Sequence, residues 1–214
     1  FMGVEEVLSF RARDTAVLAI DLHTGYLNAN LSNAPLAAPV SEIILENCRQ
    51  LFDFARGRGM PVIHAVLKDS HLRGKVPFED RNPFYQRKIK SGRKGQARLK
   101  DLPGPRFNLP EPIAPVPGDY VIDTKSSMSS FWATDLDRRL IVHQIKNLII
   151  AGINTNTCVQ CAAFDAFNRY INVIVIEDCV TSNYGEDLHQ FALENIKRCL
   201  GLVVKLSDLP SLIV

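Results

Sequence analysis

An α/β fold with a parallel sheet covered on both faces is the class this sequence predicts, and three observations carry it. Apolar runs of strand length, among them "AVLAIDLH" (16–23), "KNLIIAGI" (146–153) and "NVIVIED" (172–178), lack the polar alternation of a half-solvated sheet, so both of their faces are buried. Segments of helical spacing separate these runs. Strand and helix alternate along most of the chain, an order that right-handed βαβ crossovers convert into a parallel sheet between helix layers. About six strands make the expected architecture a three-layer α/β/α sandwich.

The elements follow in order. After the first strand, "SEIILENCRQLFDFARGRG" (41–59) has helical spacing, with Ile43, Ile44, Leu51, Phe52 and Phe54 as its apolar face and glycines at its end. "MPVIHAVL" (60–67) and "DYVIDT" (119–124) are the next strands. "TDLDRRLIVHQ" (134–144) is a helix, with Thr134 and Asp137 spaced as a capping box. The strands "KNLIIAGI", "NVIVIED" and "LVVKL" (202–206) alternate with the helices "TCVQCAAFDAFNRY" (157–170) and "EDLHQFALENIKRCL" (186–200). No internal repeat is visible.

Length and composition narrow the function. The 214 residues suffice for one domain, 1–214, with a sizeable core. A net charge of +2 gives no global pull toward nucleic acid or a membrane surface. No apolar run reaches the roughly 18 residues of a membrane span, and the N-terminal stretch lacks the apolar core of a secretion signal. Five scattered cysteines (48, 158, 161, 179 and 199), an odd number, argue against a disulfide framework and for a reducing cytoplasm.

Segment 68–118 breaks the rhythm. It holds eight of the twelve prolines, and twelve Lys/Arg against five Asp/Glu, a local charge of +7. A loop of this length is uncommon unless functional. It reads as a lid or wall that attracts an anionic group of a substrate, or as a solvated or subunit-contacting excursion. Phe84 and Tyr85 within it would stack on a ligand or pin the loop to the core.

Ligands of open α/β sheets bind beyond the carboxyl ends of the strands. Those ends carry Asp21 and His23; Lys68, Asp69 and His71; Asp123 and Lys125; Asn154, Thr155 and Cys158; Glu177 and Asp178. An acid, a base and a thiol on one rim have chemical meaning. Cys158 falls in the first turn of a helix, after a tight junction containing Gly152. The free N–H groups and partial positive charge there favour a thiolate and would hold an oxyanion. Lys125 would stabilise the thiolate further, and Asp21 would accept the thiol proton and pass it to a leaving amine.

Four blocks carry a resemblance: "AVLAIDLHTGYL", "VIDTKSSMSSFWATDLDRRL", "LIIAGINTNTCVQCAAFDAFNRY" and "VIVIEDCVTSNYGEDLHQFAL". Together they resemble the isochorismatase-like cysteine hydrolases, a superfamily that includes nicotinamidase, N-carbamoylsarcosine amidase and ureidoacrylate amidohydrolase. The resemblance implies a six-stranded parallel sheet of order 3-2-1-4-5-6 and a catalytic triad of Asp21, Lys125 and Cys158. It also implies a cis peptide bond between Ile153 and Asn154, aiming the main-chain N–H groups of Asn154 and Cys158 at the oxyanion. The expected reaction is hydrolysis of a C–N bond in a small amide or ureido compound through a thioester, without a cofactor. The +7 loop suggests a carboxylate on that compound. His23, Phe131, Trp132 and Tyr85 are candidate substrate contacts. His23 departs from the Gln or Asn frequent in the family, and Asn154 from its small residue. Family members are commonly homodimers or homotetramers, so Phe131 and Trp132 could equally pack in a subunit interface.

Three other readings stand beside this one. An isochorismatase-type vinyl-ether hydrolase would lack the nucleophilic cysteine. "CVQC" at a helix start has the layout of a thiol–disulfide redox motif, but that motif normally lies near the first βαβ unit of a small domain, and Cys161 reads better as a small buried residue. "KDSH" (68–71) resembles part of a nicotinamidase metal stretch, with Asp69 and His71 as ligands, but a catalytic metal normally takes three from the protein. The expectation is therefore no metal. His64 is expected to be a hydrogen-bonded core residue, and His189 a residue of the helix surface.

Overall fold

The computed structural model describes residues 9–28, 36–67 and 107–214. The sheet has six strands, all parallel, in the order β3-β2-β1-β4-β5-β6. These are β1 (Thr15–Ile20), β2 (Val62–Ala65), β3 (Tyr120–Ile122), β4 (Asn147–Ile153), β5 (Asn172–Thr181) and β6 (Gly201–Val204). Among the described residues the α-helices are α1 (Thr24–Leu27), α2 (Ala38–Gly57), α3 (Leu136–Val142), α4 (Gln160–Phe167), α5 (Glu186–Cys199) and α6 (Leu209–Leu212). The fold class, the strand order and the parallel sheet between helices are as the sequence and the resemblance predicted.

The period of two along a strand divides the core into two layers. In β1, Ala16, Leu18 and Ile20 face the layer under α3, α4 and α5, where Leu136, Leu140, Ala162, Ala163, Ala166 and Ile196 pack. Val17 and Ala19 face the opposite layer with Ile44, Leu51, Phe52 and Ala55 of α2 and Leu209 of α6. β1 and β4 are buried along their whole length, which is why neither shows polar alternation.

Several local expectations change. Ile43 is exposed; the buried face of α2 runs through Ser41, Ile44, Cys48, Leu51, Phe52 and Ala55, a stripe that small residues complete. The Thr134–Asp137 capping box does not form. The helix begins at Leu136, Thr134 Oγ1 donates to the Ser130 carbonyl (2.7 Å), and Asp137 pairs with Arg169 (2.6 Å). The fifth strand does not stop at Asp178. It continues to Thr181 past a register irregularity opposite Ile150 and Gly152 in β4, so Glu177 and Asp178 lie within the strand. Asp178 Oδ2 accepts the Leu206 N–H (2.7 Å), and Asp178 O accepts from Asn47 Nδ2 (2.8 Å), both structural bonds.

Of the long basic segment, residues 107–118 are described. They include a 3₁₀ turn at Glu111–Ile113 whose Ile113 is fully buried in the α2 layer. The readings made for Lys68, Asp69, His71, Phe84 and Tyr85 lie outside the described residues.

Candidate active site

Three polar side chains, from beyond the ends of β1, β3 and β4, meet where the sheet order reverses between β1 and β4. Asp21 follows β1 directly and takes a left-handed backbone conformation, φ +52°. An aspartate tolerates that region better than most residues. Its main-chain N–H donates to Ala65 O (2.9 Å), and its Oδ1 accepts the Leu67 N–H (2.7 Å), so β2 fixes both ends of the residue. Its Oδ2 accepts from Lys125 Nζ at 2.7 Å. Lys125, three residues beyond β3, brings the same ammonium to 3.7 Å from Cys158 Sγ. Asp21 and Lys125 are 0% exposed and Cys158 is 7% exposed.

Cys158 sits in a π-turn, Thr155–Val159, between the end of β4 and α4. The Ile153–Asn154 peptide bond preceding that turn is cis, as the resemblance implied. Gly152 has φ +130°, and a Cβ at this position would overlap the Ile20 carbonyl, so only glycine lets β4 pass β1 here.

The electrostatics differ from the sequence expectation. The Cys158 thiol is pushed up to about 12 by burial first and the Asp21 carboxylate second, with Lys125 opposing both. Closure of the site and the carboxylate facing the sulfur oppose the thiolate that the helix end and the lysine favour. Burial works against the Lys125 ammonium, but the Asp21 carboxylate and the Cys158 sulfur outweigh it and raise its pKa. The site therefore sets a buried Lys125–Asp21 pair beside a thiol whose ionisation burial disfavours. Such a site can move a proton from sulfur to carboxylate as the sulfur attacks, and it offers an ammonium to steady the sulfur's charge.

The remaining candidates sit around this centre. His23 is buried, stacked on Tyr26 (ring centroids 4.8 Å apart) and near Phe107 (5.2 Å). Phe131 belongs to the same core cluster as Cys158, with the Arg169 guanidinium 4.4 Å from its ring centroid. Trp132 is 48% exposed. A pocket of about 280 Å³ opens beyond β2 and β3, with Val66, Phe107, Asn108 and Asp123 in its wall. None of Asp21, Lys125 and Cys158 lines it.

Cys161 is half-buried, and its S–H faces Asp165 Oδ2 at 3.8 Å. Burial and Asp165 push that thiol up to about 11. Asp165 also accepts from Ser129 Oγ (2.6 Å), which ties α4 to the loop carrying Lys125. Cys158 and Cys161 are both free thiols. No group of three or more potential metal ligands occurs among the described residues, and no helix there is long and apolar enough to cross a membrane. His64 is a core residue held by Asp119 at 3.2 Å, as expected.

Sequence reasoning missed His189. It is not simply a surface residue: it is half-buried, with Nδ1 2.8 Å from Thr155 Oγ1 in the turn of Cys158. The signal was present. His189 precedes the buried Ala192, Leu193 and Ile196 by three, four and seven residues, so it lies on the inner face of α5. It also missed Ser182 and Asn183, which became rim residues once β5 ran past its acidic pair.

Residues 15–208 match the isochorismatase domain, and the chain belongs to that family. It is similar to a ureidoacrylate amidohydrolase of Stutzerimonas stutzeri, 29% identical over 206 residues that span 92% of this chain and 82% of the relative. It is also similar to a maleamate amidohydrolase of Pseudomonas putida, 29% identical over 198 residues, 92% of this chain and 85% of the relative. The fold is shared with a crystallised cysteine hydrolase of Pseudomonas syringae pv. phaseolicola, at a TM-score of 0.75 and 20% identity, covering 94% of this chain and 92% of that one.

Proposed function

We propose that this protein is a cysteine amidohydrolase that cleaves a C–N bond of a small amide or ureido compound through a thioester. The observation that carries the reading is a single ammonium, Lys125 Nζ, set 2.7 Å from Asp21 Oδ2 and 3.7 Å from Cys158 Sγ in a closed site. As Sγ bonds to the carbonyl carbon, the thiol proton passes to Asp21 and the carbonyl oxygen takes the negative charge. The N–H groups of Asn154 and Cys158 receive that oxyanion. The C–N bond breaks as Asp21 returns the proton to nitrogen, and ammonia or an amine leaves. Water then attacks the thioester, giving its proton to Asp21, and the thiol is restored with that proton. Lys125 stays charged throughout and offsets whichever neighbour is anionic. No step needs a cofactor or a metal.

Relatives named for ureidoacrylate and maleamate support a substrate carrying a carboxylate beside the amide or ureido group. The +7 segment supports the same choice. The vinyl-ether reading has no use for Cys158, and the S–H of Cys161, turned to Asp165, does not favour a redox pair with it. Five free thiols support the reducing cytoplasm. The expected homodimer or homotetramer is supported by aromatic side chains left on the surface, Trp132, Phe164, Phe167 and Phe191 among them.

The test is ammonia release from ureidoacrylate and maleamate by the intact protein. Turnover of at least one is expected, and Cys158→Ala, Asp21→Asn and Lys125→Met should each lower it by on the order of 10⁴-fold, since groups that act as a unit fail together. Full turnover by Cys158→Ala would sink the mechanism.

A further inference from the structure

The nucleophile's turn is held from outside by one short stretch of chain. Asn154 Oδ1 accepts the Asn183 N–H (2.9 Å), Thr155 Oγ1 meets His189 Nδ1 (2.8 Å), and Asn156 Oδ1 accepts from Ser182 Oγ (2.7 Å). Three consecutive residues between β4 and Cys158 are thus each bonded to the 182–189 segment. Two of these bonds come from the loop between β5 and α5, through the Asn183 backbone and the Ser182 hydroxyl. The third comes from α5, which is anchored in the core by Ala192, Leu193 and Ile196. Thr155 is 0% exposed, so its hydroxyl needs a partner, and His189 is the one it has.

We propose that His189 is a positioning residue: through its bond to Thr155 it fixes the π-turn that sets Cys158 Sγ against Lys125 and Asp21. The inference rests on Cys158 being the nucleophile. The π-turn Thr155–Val159 opens α4 with a hydrogen-bond pattern that helices seldom adopt, and the Thr155–His189 bond holds it there. Burial lowers the His189 pKa against the opposing charges of Glu186 and Glu177. The Thr155 hydroxyl can donate to Nδ1 or accept from it, so either neutral tautomer of His189 makes the bond.

The deciding experiment needs no substrate. The native protein is treated with iodoacetamide at pH 8, and the rate at each cysteine is read by mass spectrometry. Cys158 is the reporter, and the fully buried Cys48 and Cys179 report global opening. In His189→Ala and in the near-isosteric Thr155→Val, Cys158 should react about tenfold faster relative to Cys48 and Cys179, as a loosened turn uncovers it. The double variant should go no further. His189→Asn, which can place an amide group near the Nδ1 position, and Thr155→Ser should stay within twofold of the unsubstituted protein. The proposal is overturned if Cys158 keeps its rate in both single variants, if it rises only in step with Cys48 and Cys179, or if the two effects multiply. On whichever compound the protein hydrolyses, His189→Ala should lower kcat with little change in KM; the reverse pattern would assign His189 to substrate binding. Failure to hydrolyse either compound bears on the proposed reaction and leaves the alkylation result to decide this one.

Discussion

The Lys125–Asp21 pair, central to the proposed chemistry, also carries a stability cost. A buried ion pair gains little over an apolar pair, but losing one partner strands the other's charge in a dry site. Lys125→Met should therefore destabilise the protein by about 3–5 kcal/mol, seen as a lower urea midpoint with unchanged slope. Adding Asp21→Asn should return part of that stability without returning activity. A less stable double variant would mean that the pair's mutual attraction dominates. His64 gives a second test at this scale. It is fully buried with Asp119 at 3.2 Å, and burial lowers its pKa even though Asp119 opposes the shift. The folded protein thus binds the His64 proton less readily than the unfolded chain. Its contribution is complete above the unfolded value of about 6.5 and falls as pH drops below it. Burial raises the Asp119 pKa, but Arg56, the Val116 N–H and His64 outweigh it and bring it below 3.8, so its contribution persists to lower pH and fails there. Urea midpoints from pH 7.5 to 5 should decline, and His64→Gln should flatten that decline. An unchanged slope in His64→Gln would assign the loss to other groups.

At the scale of elements, the junction of β4 with the Cys158 turn is the most constrained place in the fold. Gly152 passes against the Ile20 carbonyl with φ +130°, one residue before the strand ends. Gly152→Ala would have to open the β1–β4 pairing or abandon that φ. It should cost several kcal/mol, on the order of 3–5, and should impair Cys158 more than distant elements. Hydrogen exchange checks this: the β1–β4 amides should lose protection while those of α2 keep theirs. Equal loss everywhere would show that the junction is only a general stability element. The irregularity in β5 belongs to the same place. By letting β5 run to Thr181 it delivers Ser182 and Asn183 to the Cys158 turn, a task the acidic pair Glu177–Asp178 concealed in the sequence.

At the scale of the molecule, the layers under the sheet are complete, yet the outer faces of α4 and α5 remain apolar. Phe164 and Phe167 on α4 and Leu188 and Phe191 on α5 are exposed, Phe191 to 64%. A second copy of the chain would cover such a surface. Size-exclusion chromatography with light scattering should give two or four times 23.9 kDa, and Phe191→Glu should shift the population toward the single chain. A monomer at micromolar concentration would remove the oligomer from the account. The charge of the 68–118 segment makes a prediction at this scale too. A carboxylated amide should be turned over faster than its neutral analogue, and the preference should weaken as salt screens the field.

The sequence by itself determined the fold class and which three strand-end residues to propose as the reacting trio. Burial on both faces shows as uninterrupted apolar runs, and strand ends show as the first polar residues after them, so Asp21, Lys125 and Cys158 could be named from position along the chain. Motif order added the strand order and the cis bond at Ile153–Asn154. The tertiary structure decided what depends on neighbours distant in sequence. It showed that Lys125 bridges Asp21 and Cys158 across 104 and 33 residues, and that closure of the site pushes the thiol pKa up where a helix end alone would lower it. It also showed that His189 faces inward onto Thr155. Local pattern is fixed by each residue's neighbours along the chain. Desolvation and hydrogen-bond partners are fixed by what packs against a residue in space, and that information appears only once the chain has folded.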